Sequence, residues 1–387
     1  MLIGGLGKGG RSYYAIDVTD PSAMTSENAV AGKVLWEFPS RSLLPTGSGG
    51  TCTTNCIDIG YSYGDPVVVK TARYGWVVVL SSGYNNVDGK GHIFLVNPTN
   101  GALIKDISTG TVLSSGMAHP SAYVLDYSDY TADAVYVGDL EGRVWRFPLN
   151  NVDTAGNYPA PTIIAKLSLP TVGTTPGTAQ PITTQPLIEI DPATRRRYVM
   201  VGTGRLLDST DISDSQQQTF YAIVDGYSDQ FSTTALDGDS WPAVRSDFAQ
   251  VESSDGTIPR KADMKNKAGW AIDLGTTNNV GWRVINSTTA YNGIVGFTSV
   301  LPSGDECNPS GTSRVYAVTF STGSSVLDNQ VDYLGLNSVV IDYNFLNING
   351  KVQPVIGDNK GNLDKIGGTF YTSKSRALTW RELSNIH

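Results

Sequence analysis

The eight residues from Asp126 to Asp133, DYSDYTAD, hold three aspartates, a serine and a threonine, and they run straight into the apolar stretch AVYVG. Two chemistries suit that composition. Carboxylates and hydroxyls at alternate positions of a short loop, helped by a backbone carbonyl, are what a hard cation such as Ca²⁺ takes as ligands, about six to eight oxygens in all. The same side chains also accept hydrogen bonds from their own backbone N–H groups and so build a plain polar turn. Residue types alone leave both open.

The other reactive residues point to structure more than to catalysis. Cys52 and Cys56 (CTTNC) sit in a Gly/Ser/Thr-rich loop and read as a local disulfide of an exported protein, with Cys307 left over. His92, His119 and His387 are too few for a multi-histidine metal site, and no Gly-x-Ser-x-Gly elbow offers a serine nucleophile. GGLGKGG (4–10) lacks the Gly-Lys-Ser/Thr ending of a phosphate loop, so its glycines are expected to let a strand enter with positive φ. NVDGKG (86–91) and GDNKG (357–361) read as hairpin turns. Arg205, in GTGR, follows a hydrophobic strand and is expected to pair with Asp208 or Asp211.

These residues must be positioned by strands. One design recurs, an aromatic-led alternating strand followed by a polar turn: SYYAIDVTDP (12–21), HIFLVNPTNG (92–101), RVWRFPLNN (143–151), TFYAIVDGY (219–227), GWAIDLGTT (269–277) and RVYAVTFSTG (314–323), with GNLDKIGGT (361–369) as a degraded seventh copy. Short spacings of roughly 45–50 residues match the four-stranded blade of a propeller. The expected fold is therefore all-β, a modified seven-bladed β-propeller with loop insertions, forming one domain over residues 1–387. Two longer gaps, 38–64 and the proline-rich 150–186, are expected to be surface insertions. The aromatic leads Tyr14, Phe94, Trp145, Tyr221, Trp270 and Tyr316 are expected in the core, because period-2 alternation buries one face of each strand.

Composition agrees and narrows the function. Gly numbers 42 and charged residues are only 17%, below the roughly 25% of an average chain. Net charge is −8, and the longest basic run is Arg195 to Arg197, which excludes a phosphate-tracking surface and hence nucleic acid as partner. No apolar window of membrane-spanning length occurs, and the chain starts inside a strand, so Met1 reads as a start added to a fragment of a longer exported protein.

TTQPLIEIDPATRRRYVMVGTGRLLDSTDISDSQQQTFYAIVDG (183–226) closely resembles the C-terminal propeller of the PilY/PilC proteins of type IV pili. GGLGKGGRSYYAIDVTDP, VLSSGYNN, YVGDLEGRVWRF, FTSVLPSGDECNPSGTSRVYAV and the closing LTWREL resemble that family's blocks in the same order and span nearly the whole chain. The resemblance implies a non-enzymatic pilus-associated protein at the pilus tip, cell surface or outer membrane. Its roles would be pilus assembly, opposition to retraction, twitching motility and adhesion, and its partners pilin or minor pilins, the pilus machinery, and host-surface or matrix proteins. In that family the strand ending in YAGD follows a calcium loop of pattern D-x-[DN]-x-[DN]-x-x-x-D. YVGD at 136–139 aligns Asp133 with the last aspartate, and Asp126 then falls one residue short of the first. The implied Ca²⁺ ligands are Asp126, Ser128, Asp129 and Asp133, with the carbonyl of Tyr130. AIDVTDP and LVNPTNG also resemble strand-turn repeats of quinone-dependent dehydrogenases, which keeps a quinoprotein-like enzyme as the alternative, but no adjacent cysteine pair and no Cys-x-x-Cys-His haem motif accompany them. A glycan-binding module is a third expectation.

Overall fold

The computed structural model describes residues 1–113, 116–235, 241–251, 261–275, 280–305, 309–348 and 351–370. Among them the chain forms six sheets, taken up one after another along the sequence. The first holds Leu2–Gly5, Tyr13–Ile16 and Val34–Phe38; the second Val67–Thr71, Gly75–Ser81, Lys90–Val96 and Leu103–Leu113. The third is built on Ser121–Tyr123, Ala134–Gly138, Arg143–Pro148 and Thr162–Lys166, and the fourth on Leu187–Ile190, Arg196–Gly202, Thr219–Tyr227 and Gly269–Asp273. Thr289–Tyr291, Ile294–Gly304, Pro309–Thr319 and Leu334–Leu336 make the fifth, and Val340–Ile348, Lys351–Asp358 and Leu363–Lys365 the sixth.

Strand alternation explains how these sheets hold together. In Gly75–Ser81, Val77 and Val79 enter the core shared with the third sheet, while Val78 and Leu80 enter the core shared with the first. The same switch recurs at each junction, giving five cores between six consecutive sheets. A sheet apolar on both faces and packed on both neighbours is a propeller blade. Each fully buried aromatic or branched residue contributes about 1.5–3 kcal/mol relative to exposure, so the junctions carry the stability.

The repeats map onto this frame with one change. Copies 219–227 and 269–277 pair as neighbours in the fourth sheet, Phe220 opposite Ile272 and Ala222 opposite Trp270, so the seven copies fall in six sheets among the described residues. They pair because both strands alternate apolar residues in matching register, which a repeat count alone does not resolve. Phe94, Trp145, Tyr221, Trp270 and Tyr316 are core residues, but in the first copy Tyr13 and not Tyr14 is the buried ring.

The insertions are only partly surface. Leu44, Ile57 and Ile59 of the 38–64 segment join the core between the first two sheets. Within 150–186, Thr162–Lys166 is a full strand of the third sheet, and Ile182 packs in the core between the third and fourth sheets. Proline density around it concealed a five-residue strand with apolar Ile163, Ile164 and Ala165. Between the third and fourth sheets the chain also lays a strap across their outer edges: Ala243–Val244 pairs parallel to Thr162–Lys166, and Phe248–Gln250 parallel to Gly269–Asp273. At the tight turn of DLEGRV, Gly142 takes φ +71°, and a Cβ there would stand 2.3 Å from the carbonyl oxygen of Leu167. No helix among the described residues is long and apolar enough to cross a membrane.

Candidate functional site

The loop 126–133 joins the first two strands of the third sheet, and its exposed turns are made by its own side chains. Asp126 Oδ1 accepts the Ser128 N–H at 2.8 Å, and Asp129 Oδ1 accepts the Thr131 N–H at 2.8 Å and its hydroxyl at 2.9 Å. Those two bonds hold the Asp129 carboxyl below its ordinary range. Asp133 Oδ2 accepts the Leu125 N–H at 2.7 Å and closes the base of the loop. Tyr130 sits at the tip with φ 56°, the residue 67% exposed and its ring edge-on to Tyr127 at 6.4 Å. The second sheet holds the loop from outside: Lys70 Nζ donates to the Asp129 carbonyl at 3.1 Å, and the Ala132 N–H donates to the Lys70 carbonyl at 2.7 Å.

Asp126, Ser128, Asp129, Tyr130 and Asp133 are thus on one loop, but its three carboxylates bond to nearby N–H groups and, at Asp129, the Thr131 hydroxyl. Among the described residues no three carboxylate, histidine or cysteine groups come together so as to hold a metal ion. The hydrogen bonds engage one oxygen each of Asp126, Asp129 and Asp133 and leave the second oxygen of each outside them. The donor set is chemically right for Ca²⁺; the arrangement is that of a polar turn.

Other expected residues fall into place. Cys52 and Cys56 are disulfide-bonded, and Cys307 lies outside the described residues. Arg205 Nε pairs with Asp211 at 2.7 Å, whereas Asp208 caps the short 3-10 helix Ser209–Ser213 by accepting the Thr210 N–H. The hairpin 86–91 does more than turn. Asp88 reaches His92 Nε2 at 3.3 Å while Asp106 holds Nδ1 at 2.8 Å, so a buried imidazole lies between two carboxylates. Burial alone would lower the His92 pKa, but the Asp106 hydrogen bond and the charges of Asp106 and Asp88 outweigh it and raise it.

The residues that sequence reasoning missed lie between the third and fourth sheets. Asp225 is fully buried; it accepts the Tyr136 hydroxyl at 2.6 Å and pairs with Arg146 Nη1 at 2.5 Å. Arg197, also fully buried, lies 4.6 Å from the Tyr123 ring centre and 4.3 Å from that of Phe231, while Arg146 stacks on Phe231 at 5.0 Å. Burial and the Asp225 charge push the Tyr136 hydroxyl well above its ordinary pKa. The cluster is a structural clamp across a sheet junction: Arg146 pairs with Asp225, while Arg197 donates to the Gln230 carbonyl at 2.7 Å and lies between the two rings. Asp139, the aspartate of YVGD, is likewise buried and accepts the Glu141 and Arg143 N–H groups and the Trp145 indole N–H at 2.8–2.9 Å.

A family model of the PilY1 beta-propeller domain matches residues 1–238, well over half of the chain. The chain belongs to the PilY1 family. Among curated relatives it is 28% identical over 351 residues to a type IV pilus biogenesis factor PilY1 homolog of Xylella fastidiosa (strain Temecula1), a match covering 84% of this chain and 22% of that protein. It is 27% identical over 392 residues to the type IV pilus biogenesis factor PilY1 of Pseudomonas aeruginosa (strain UCBPP-PA14), covering 87% of this chain and 32% of that one. The chain therefore spans between about a fifth and a third of the length of these PilY1 relatives. Its fold is similar to the crystal structure of the Pseudomonas aeruginosa PilY1 C-terminal domain, with a TM-score of 0.68 at 21% identity, over 95% of this chain and 80% of that one.

Proposed function

We propose that this chain is the non-enzymatic propeller scaffold of a type IV pilus biogenesis factor. The match of the PilY1 propeller model to residues 1–238 carries the reading, and relatives bearing that role in their names align along more than four fifths of the chain. On this reading the full-length protein is exported and works at the cell surface with pilin, minor pilins and the pilus machinery, promoting assembly, counteracting retraction and supporting twitching and adhesion to host-surface or matrix proteins. The Cys52–Cys56 bridge suits an oxidising compartment. The rigid junctions supply the frame, and the exposed tips of the 38–64 and 150–186 segments are the contact surfaces, since loops on a fixed scaffold are where recognition concentrates.

Calcium belongs to this proposal at the Asp126–Asp133 loop. The carboxylate oxygens left free by the loop's own bonds, with the Ser128 hydroxyl and the Tyr130 carbonyl, would hold the ion once the turn closes. A bound ion stabilises by mass action, about 2.7 kcal/mol at one hundred times its dissociation constant. Calorimetric titration of chelator-treated protein beside Asp133→Ala tests it. Heat and a melting shift that vanish in the variant support the site, and no heat in either rejects it. The pilus reading is tested by deleting the gene in its host bacterium: surface pili and twitching are expected to fall and to return on complementation, and unchanged piliation overturns it.

A further inference from the structure

The buried imidazole of His92 has a carboxylate at each ring nitrogen, Asp106 at 2.8 Å from Nδ1 and Asp88 at 3.3 Å from Nε2. A carboxylate only accepts, and a neutral imidazole carries one N–H and one lone pair, so it satisfies one carboxylate and turns its lone pair to the other. Only the imidazolium donates to both. The shorter bond, to Asp106, keeps the N–H of the neutral ring, and the tie to Asp88 is the one that fails. Asp106 is fixed on Leu103–Leu113, the strand paired with the histidine's own, whereas Asp88 lies on the connection that leads into Lys90–Val96.

Asp88 fastens that connection. Its Oδ1 accepts the Lys90 N–H at 2.9 Å and the Asn86 amide at 3.0 Å, while its own N–H and that of Val87 run to Asp58 at 2.6 and 2.9 Å. Asp58 belongs to the 38–64 segment, whose exposed tip is 46–56. Hairpin and tip also touch directly. A Cβ on Gly47 would stand 3.2 Å from a Val87 methyl, and Arg11 donates to the Asn85 carbonyl at 2.6 Å and to the Ser48 hydroxyl at 3.4 Å. The charged groups around the ring are therefore Asp88 and Lys90 from the hairpin, Asp106 from the outer strand and, behind Asp88, Asp58 from the tip segment. Its other neighbours are uncharged: the Ser82 hydroxyl takes the His92 N–H, and Phe94 stacks on the ring at 5.6 Å. With the ring neutral, Lys90, 3.6 Å from Asp88, is the one cation paired with these three carboxylates among the described residues.

We propose that His92 is a proton-operated latch: as imidazolium it holds the 86–91 hairpin against the 46–56 tip, and as neutral imidazole it lets the hairpin lift from Asp58. Burial works against the proton, but the Asp106 hydrogen bond and the charges of Asp106 and Asp88 outweigh it. The latch is thus shut in acid and opens as pH rises through a folded value above the ordinary histidine pKa of about 6.5. Its consequence, a tip fixed in acid and adaptable in alkali, rests on the reading of that tip as a contact surface; the latch itself does not.

The test is amide exchange of the purified chain at about pH 5.5 and about pH 9, read as protection factors so that the intrinsic pH dependence divides out. The Val87 and Asp88 amides report the hairpin's hold on Asp58. Their protection is expected to fall at least about tenfold from acid to alkali, while that of the core strand at Ile93–Val96 holds. His119→Gln, which removes the imidazole bonded to Asp65, should leave that fall in place. His92→Gln removes the titrating group, and Asp88→Asn offers the neutral ring an amide donor in place of a carboxylate. Both should make the protection independent of pH, with melting curves confirming that each is folded. Flat protection in the parent, or a fall as large as the parent's in either folded variant, overturns the proposal. Loss of protection at Ile93–Val96 in step with the hairpin overturns it in favour of a general loosening of the second sheet. The readout needs no pilus, so failure of the latch and failure of the pilus reading are told apart.

Discussion

Replacing Asp225 by Asn tests the reading of the junction between the third and fourth sheets. The substitution keeps the shape and removes the charge, leaving Arg146 without its carboxylate and depriving the Tyr136 hydroxyl of its charged acceptor. Breaking a buried ion pair at one partner costs about 3–5 kcal/mol, because the remaining charge stays desolvated. Unfolding entropy near 2.1 cal/mol/K per residue, taken over a chain of 387 residues, is about 0.8 kcal/mol/K. The melting temperature is therefore expected to drop by about 4–6 °C, with Asp225→Ala only slightly worse. Denaturant titration gives the free energy directly. A loss below about 1 kcal/mol for Asp225→Asn would show that the clamp is packing and not charge, and would refute the argument.

Three further outcomes follow from individual contacts. His92 has a folded pKa raised above its unfolded value, so its contribution is complete below about pH 6.5 and is lost as pH rises through the folded pKa; the melting gap between the parent and His92→Gln should be widest in acid and narrow towards alkaline pH, and a gap independent of pH counts against it. Gly142→Ala should cost at least about 1–2 kcal/mol from the positive φ alone, with the Leu167 carbonyl adding to it; a chemical melt within experimental error of the parent would contradict that. Asp139→Asn should destabilise the 139–145 turn, seen as faster amide exchange at Glu141 and Arg143, whose N–H groups it now accepts.

Much of the fold was legible in the sequence because blade strands obey a simple rule. Alternation in GWVVVLS assigns Val77 and Val79 to one neighbour and Val78 and Leu80 to the other, and that is the packing found. The pairing of two repeat copies in one sheet was not legible, since register between distant strands depends on the intervening chain. The clamp could have been found by the same alternation. Arg197 shares a face with Val199 and Val201, Arg146 with Val144, and Asp225 with Tyr221 and Ile223, all lining the junction between the third and fourth sheets. A charged residue on an apolar face needs a partner: Arg146 meets Asp225 across the junction, and Arg197 donates to the Gln230 carbonyl and lies over the Tyr123 and Phe231 rings. The Asp126–Asp133 loop was less readable, because a cation loop and a set of side-chain-capped turns draw on the same residues.

The exposed tips at 46–56 and 170–177 provide the most direct test of a rigid scaffold acting through its loops. Each tip is replaced by a short Gly/Ser link in the full-length protein, leaving Leu44, Ile57, Ile59 and Thr162–Lys166 intact, and surface pili are counted beside the melting temperature of the purified chain. The account predicts an unchanged melt with a clear loss of pili for at least one tip. Normal pilus numbers in both variants, each folded and exported at parental level, would contradict it.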